Sequence, residues 1–268
     1  MRLHGLRILN TRPVAQAQSL NEAIQAAGGI SITCPAIEIK ASRTPWLNHL
    51  PPLSSLQQII FISANAVNYF FEALAPKALI WPETITFIAI GQATAQSLAQ
   101  WIQFPIHVPS IANSEHLLQL SSLQHIQGQN IVLVRGEKGR EEIAQQLLYR
   151  GARLISLPVY RRVLPKLSQA MLSSLWHKDA VDIILFTSEQ AMRQLFALFG
   201  KKAHAWLCNK PCVVISERLV KVARSLGLQH ILLSPYDELL LSLEQYSTTL
   251  QKKGFFHAKK PSAGCDPC

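Results

Sequence analysis

The sequence is poor in charge and poor in glycine, and it has no disulfide framework. Only 16% of its 268 residues are charged while 49% are apolar, which excludes a disordered chain and calls for a large buried core. Apolar runs of about 18 residues are missing. Met1-Arg2-Leu3-His4-Gly5 leads into a strand-like run with no signal-peptide core, so a soluble, cytoplasmic chain is expected. The five cysteines, Cys34, Cys208, Cys212, Cys265 and Cys268, are odd in number and too few to staple a chain of this size, which fits a reducing compartment.

Familiar site signatures are lacking as well. No Gly-x-Gly-x-x-Gly follows a strand, and Gly136-Glu137-Lys138-Gly139-Arg140 lacks P-loop spacing, which speaks against dinucleotides and nucleoside triphosphates. Neither a Gly-x-Ser-x-Gly elbow nor a His-Glu-x-x-His pair is present. Cys208 and Cys212 with Cys265-x-x-Cys268 suggest zinc only weakly, because the second pair lies in an unpatterned tail. No metal and no conventional cofactor are expected. The net charge of +10 is scattered apart from Lys252, Lys253, Lys259 and Lys260 near the carboxyl end, and no nucleic-acid-binding motif accompanies it. A solvated basic surface or an acidic small ligand accounts for it better than nucleic acid does.

What the chain does have is an internal repeat. Ile8-Leu9-Asn10-Thr11-Arg12 matches Ile131-Val132-Leu133-Val134-Arg135, and Pro35 matches Pro158 at the same offset of 123 residues. Phe61-Ile62-Ser63-Ala64-Asn65-Ala66 then matches Phe186-Thr187-Ser188-Glu189-Gln190-Ala191, and Ile90-Gly91-Gln92 matches Ile215-Ser216-Glu217, both 125 residues on. A repeat of this length is a duplicated half-protein rather than one solenoid unit. It predicts two similar lobes joined at the extended segments led by Pro35 and Pro158, with a ligand site expected between them.

Within each half, apolar strands alternate with helices. Residues 6–10 read as a strand, Thr11 as the N-cap of a helix carrying Ala17, Leu20, Ile24 and Ala27, and Gly28-Gly29 as its stop. Residues 41–57, with three prolines and several serines, read as a loop or a poorly ordered segment. After the strand at residues 59–62, Ser63 caps a helix whose buried stripe is Val67, Phe70, Phe71 and Leu74. The copied stripe is Met192, Leu195, Phe196 and Phe199. The expected class is α/β, with two doubly wound parallel-sheet lobes, flavodoxin- or Rossmann-like.

Ligands of such sheets bind beyond the carboxyl ends of the strands, where helix starts offer unpaired N–H groups suited to carboxylate or phosphate. The candidate positions are Thr11 and Arg12, Ser63 to Asn65, Gly91, Gln92 and Thr94, Arg135 and Gly136, Thr187 and Ser188, and Ser216. Singly, a Ser or Thr at these points is often no more than a cap. Arg12 and Arg135 are less easily explained as caps, since a guanidinium presents paired donors to a carboxylate. Tyr160 lies on the connecting segment Leu157-Pro158-Val159-Tyr160-Arg161-Arg162. Its phenol can donate a proton at neutral pH or simply pack in the connector.

The order and spacing of these motifs resemble the uroporphyrinogen-III synthase family. The likeness runs from about Arg7 to about Leu243 and rests on Asn10-Thr11-Arg12-Pro13, Pro35-Ala36-Ile37-Glu38-Ile39, Ser63-Ala64-Asn65-Ala66-Val67, Ile90-Gly91-Gln92-Ala93-Thr94-Ala95, Ser114-Glu115, Arg135-Gly136-Glu137-Lys138-Gly139-Arg140, Pro158-Val159-Tyr160-Arg161-Arg162 and Phe186-Thr187-Ser188. The resemblance implies cyclisation of hydroxymethylbilane, an octacarboxylate, through a spirocyclic intermediate with inversion of its last pyrrole ring. It also implies Tyr160 as the acid, with Thr94 and Ser63 near the reacting end. It further implies interleaved lobes, residues 1–35 with 165–250 against 42–157, with 36–41 and 158–164 as connector strands. From Gln251 onwards the helical and strand pattern is lost, and 251–268 is expected to be a disordered tail with no counterpart in the family. Two departures stand out: Ile62 where the second copy has Thr187, and Leu219 opposite Thr94. A non-catalytic two-lobed binder of a polycarboxylate is the competing reading. Nothing in the sequence calls for a protein partner, so a monomer is expected, without nucleic acid or membrane.

Overall fold

The computed structural model describes residues 3–139 and 141–252. In chain order the elements are β1 (Arg7–Asn10), α1 (Val14–Ala26), β2 (Ile30–Thr33), β3 (Glu38–Ala41), β4 (Gln58–Phe61), α2 (Ala64–Leu74), β5 (Thr86–Ala89), α3 (Gln92–Leu98), β6 (Ile106–His107) and α4 (Ser114–Leu118). There follow β7 (Asn130–Gly136), α5 (Glu142–Tyr149), β8 (Arg153–Val163), α6 (Gln169–His177), β9 (Ile183–Phe186), α7 (Glu189–Phe199), α8 (His204–Asn209), β10 (Cys212–Val214), α9 (Glu217–Ser225), β11 (Ile231–Leu233) and α10 (Leu239–Lys252). Two units result: one ends at Glu38 and resumes at Leu164, and the other is Ile39–Val163.

The discontinuous unit holds a five-stranded sheet in the order β11-β10-β9-β1-β2, with parallel pairing at every junction. Leu9 pairs with Ile32 on one side and Ile184 on the other. Ile8 and Leu9 are consecutive and both fully buried, as strands of a sheet covered on both faces must be. The continuous unit holds a six-stranded sheet in the order β3-β8-β7-β4-β5-β6. Ile59, Phe61, Val132 and Val134 on one face pack with Val67, Phe70, Phe71 and Leu74 of α2. Ile60, Ile88, Ile131 and Leu133 on the other pack with Leu117, Leu118, Ile143 and Leu147 of α4 and α5.

Local expectations fail at three places and need refining at a fourth. Thr11 does not cap α1. The cap is Pro13, while the Thr11 hydroxyl donates to the Leu185 carbonyl at 2.6 Å, because Thr11 still continues the extended path of β1 beside β9. Residues 42–57 are the expected loop, but an ordered one, with two single 3-10 turns, Trp46–His49 and Leu53–Ser55. Trp46 anchors them by stacking on Phe70 at 5.3 Å. In α7, Phe196 is only half-buried and packs against His204 at 5.1 Å, and Leu198 completes the buried stripe in its place. Gln251 and Lys252 close α10 instead of starting a tail, and the remainder of that segment lies outside the described residues. Among the described residues no helix is long and apolar enough to cross a membrane.

Candidate active site

Each sheet reverses its strand order once. In the continuous unit β4, β5 and β6 step one way and β7 and β8 the other, so the reversal falls between the neighbours β4 and β7. Parallel strands leave a crevice beyond their carboxyl ends at such a point. Ser63 follows β4 there, and Arg135 and Gly136 end β7.

Tyr160 is brought to the same place by a β-bulge. Arg135 pairs with Pro158 but Gly136 pairs with Tyr160, leaving Val159 as the extra residue. Val159 and Tyr160 therefore both join one core cluster, where a regular strand would send consecutive side chains to opposite faces. Tyr160 is only 3% exposed. Its ring stacks on Tyr69 at 6.2 Å, and Tyr69 is fixed in turn by donating its hydroxyl to the Ile39 carbonyl at 2.9 Å. On the other side lies Gly136, where a Cβ would come 2.9 Å from Tyr160 Cζ, so only glycine lets the ring rest against this backbone.

The Tyr160 oxygen accepts from Ser63 Oγ at 3.3 Å and from Arg162 Nη2 at 3.3 Å. Ser63 also caps α2, accepting from the Ala66 N–H at 3.1 Å, so one hydroxyl joins the helix start to the phenol. Among the described residues no acceptor takes the phenol's own proton. Asn65 lies half-buried in the first turn of α2. Gly91 caps α3 at the end of β5, where a Cβ would come 2.5 Å from that of Ala112. Gln92 is exposed beside it, and Thr94 is buried in the first turn of α3. No hydrogen bond among the described residues joins Thr94 to Tyr160.

Arg135 is already engaged. Its side chain is 6% exposed and forks onto Glu141, itself 60% exposed, with both N–H···O distances at 2.7 Å. That hydrogen-bonded pairing holds the Glu141 carboxyl below the usual carboxylate range. While this pairing holds, both arms of the Arg135 fork are occupied by Glu141.

In the discontinuous unit the reversal falls between β1 and β9. Thr11 and Arg12 follow β1, and Thr187 and Ser188 follow β9. The buried Thr11 hydroxyl is spent on Leu185 and offers a ligand nothing. The Arg12 guanidinium donates to the Tyr236 hydroxyl and lies 4.9 Å from that ring's centroid. Ser188 caps α7 by accepting from the Ala191 N–H at 3.2 Å, whereas Ser216 caps α9 with no side-chain bond. The sequence thus marked the junctions but missed four partners: Tyr69, Arg162, Glu141 and Tyr236. Arg162 was visible two residues from Tyr160 and Glu141 six residues from Arg135. Tyr69 and Tyr236 carry no local signal.

The three described cysteines lie apart from these side chains. Cys34, Cys208 and Cys212 are free thiols, and among the described residues no cluster of metal-ligating side chains exists. Cys265 and Cys268 lie outside the described residues. Burial pushes both Cys34 and Cys212 up to about 12. At pH 8 iodoacetamide is expected to label the half-buried Cys208 and to leave these two unmodified, as read by peptide mass spectrometry. Labelling of Cys34 as fast as Cys208 would place it outside the core.

Comparison with known proteins shows the family and the fold. The family model described as uroporphyrinogen-III synthase HemD matches residues 18–238. The chain is 32% identical to the uroporphyrinogen-III synthase of Salmonella typhimurium over 231 residues, covering 84% of this chain and 94% of that protein, and equally to that of Escherichia coli. Among solved structures it resembles a mutant uroporphyrinogen III synthase of Thermus thermophilus, with a TM-score of 0.62 at 18% identity over 92% of this chain and 99% of that one. It also resembles the Helicobacter pylori uroporphyrinogen-III synthetase, with a TM-score of 0.58 at 18% identity over 93% of this chain and 100% of that one. The structural likenesses show the fold of two mainly parallel sheets. The chain belongs to the HemD family of uroporphyrinogen-III synthases, and its activity is that of a hydro-lyase in tetrapyrrole biosynthesis.

Proposed function

We propose that this chain cyclises hydroxymethylbilane, with Tyr160 as general acid. The observation that carries the reading is the phenol at the β4/β7 reversal, whose oxygen accepts two hydrogen bonds while its proton has no acceptor among the described residues. The proton passes to the leaving hydroxyl as the terminal carbon–oxygen bond breaks and water departs. The pyrrole nitrogen supplies the electron pair, leaving a cationic bilane and a phenolate. Carbon–carbon closure through the spirocyclic intermediate, and then at the inverted ring, ends with loss of a ring proton that restores the phenol. Water is the only other product.

Because the pyrrole drives the departure, the chain's main task is to hold geometry, since unassisted closure gives the uninverted isomer. Thr94 and Ser63 are assigned to the reacting end. The substrate's carboxylates are assigned to Asn65, Gly91, Gln92 and Gly136, and to Arg135 once Glu141 yields. In the other unit they are assigned to Arg12, Thr187, Ser188, Ser216 and the backbone at Thr11. The N–H groups of helix starts and the +10 net charge support this. Three unpaired thiols support action in the reducing cytoplasm, and the working form is taken as a monomer.

The test supplies freshly generated hydroxymethylbilane to the purified protein and resolves the oxidised products by isomer. A predominance of the type III isomer is expected. Type I alone, at the rate seen without protein, would leave a polycarboxylate binder instead.

A further inference from the structure

We infer that Arg162 is the positioning residue of the Tyr160 acid: it orients the phenol's proton outward and holds the negative charge that appears on its oxygen. This rests on the reading of Tyr160 as the acid. Tyr160 is followed by two arginines, and the structure gives them different work. Arg161 Nε donates to the Ala41 carbonyl at 3.3 Å, tying β8 to β3. Arg162 instead turns back on its near neighbour, with Nη2 donating to the phenol oxygen at 3.3 Å and the guanidinium carbon 5.7 Å from the ring centroid.

A guanidinium has no acceptor, so the Arg162 contact can only place Tyr160 as acceptor. With Ser63 on a second lone pair, the phenol's O–H is the one group left to point elsewhere. When that proton moves to the leaving hydroxyl, the oxygen becomes a phenolate, and both contacts become hydrogen bonds to an anion, which are shorter and stronger. Arg162 is permanently cationic, so it stabilises the state after transfer more than the state before it, as a catalytic contribution must. The proton lost at final ring closure discharges the phenolate and returns the trio to its starting form.

The experiment measures kcat and KM for type III formation in Arg162→Gln, Arg162→Lys, Tyr160→Phe, the double variant Arg162→Gln with Tyr160→Phe, and Arg161→Gln, with circular dichroism as the folding check. Arg162→Gln is expected to lower kcat about 10-fold with KM little changed. Arg162→Lys recovers much of the loss, and Arg161→Gln, which removes the same charge without touching the phenol, stays near the parent kcat. In the Tyr160→Phe background Arg162→Gln adds nothing, because there is no oxygen left to serve. A raised KM at unchanged kcat would make Arg162 a carboxylate seat and overturn the inference. So would full additivity of the two substitutions. If Tyr160→Phe alone leaves kcat unchanged, the acid assignment itself falls and this inference with it.

Discussion

Replacing Tyr160 with phenylalanine is expected to lower kcat about 100-fold while leaving the protein folded. A positioned general acid contributes roughly 10²–10⁴ in rate, and the lower end applies because the pyrrole already expels the hydroxyl. Each factor of ten is about 1.4 kcal/mol of barrier, so about 3 kcal/mol is at stake in one oxygen atom. Phenylalanine keeps the ring that stacks on Tyr69 and rests on Gly136, and the Ser63 cap of α2 does not depend on the phenol. Isomer-resolved kinetics with a parallel thermal melt check the result. An unchanged kcat would remove Tyr160 from the acid role, and a collapsed melt would make it a packing residue.

A second large effect is expected far from the chemistry. Phe70 is fully buried and lies at the centre of an aromatic group, 5.3 Å from Trp46, 5.4 Å from Phe61, 5.3 Å from Phe71 and 6.2 Å from Trp81. Phe70→Ala removes the ring that α2 sets between β4 and the Trp46 turn. Deletions of this kind cost about 3–5 kcal/mol, the lost transfer energy plus a cavity that stiff aromatic neighbours do not fill. Urea titration followed by tryptophan emission reports it directly, since Trp46 and Trp81 border the gap. A loss under about 1 kcal/mol would mean that Trp46 closes over the hole.

The architecture was legible because it rests on repetition and burial. Val67, Phe70, Phe71 and Leu74 recur at helical spacing and are all buried, and the strands flanking them are short continuous apolar runs, so the two-sheet α/β class follows from pattern alone. The junction residues were legible for the same reason, since a strand that ends before a helix puts its last polar residues at the sheet's carboxyl edge. What could not be read was which partner each side chain takes. Thr11 has every local feature of a cap, yet its hydroxyl goes to Leu185, 174 positions away in the sequence. Trp46 turns a proline-rich loop into ordered turns through one contact with Phe70 that no local rule predicts. Phe196 keeps the repeat's spacing but not its burial, because His204 offers its ring a partner nearer the surface. The bulge beside Gly136 left no trace either, since residues 157–163 are extended throughout and their alternation breaks only at Val159 and Tyr160.

That bulge divides β8 into two reading frames. Up to Pro158 the strand keeps the phase set where Arg153 meets Asn130, and Leu157 and Val159 fall inward in that phase. From Tyr160 onward the phase is inverted, and because Tyr160 and Arg162 stand two apart they change face as a unit. Removing Val159 would merge the frames without turning the phenol, since Tyr160 would inherit the inward place opposite Gly136, and the loss would be one of packing. Flattening the bulge while keeping every residue would do the reverse: Val159 would take the seat opposite Gly136, and the phenol and its guanidinium would leave the crevice together. In this strand the number of residues is negotiable, whereas the phase in which they are read is not.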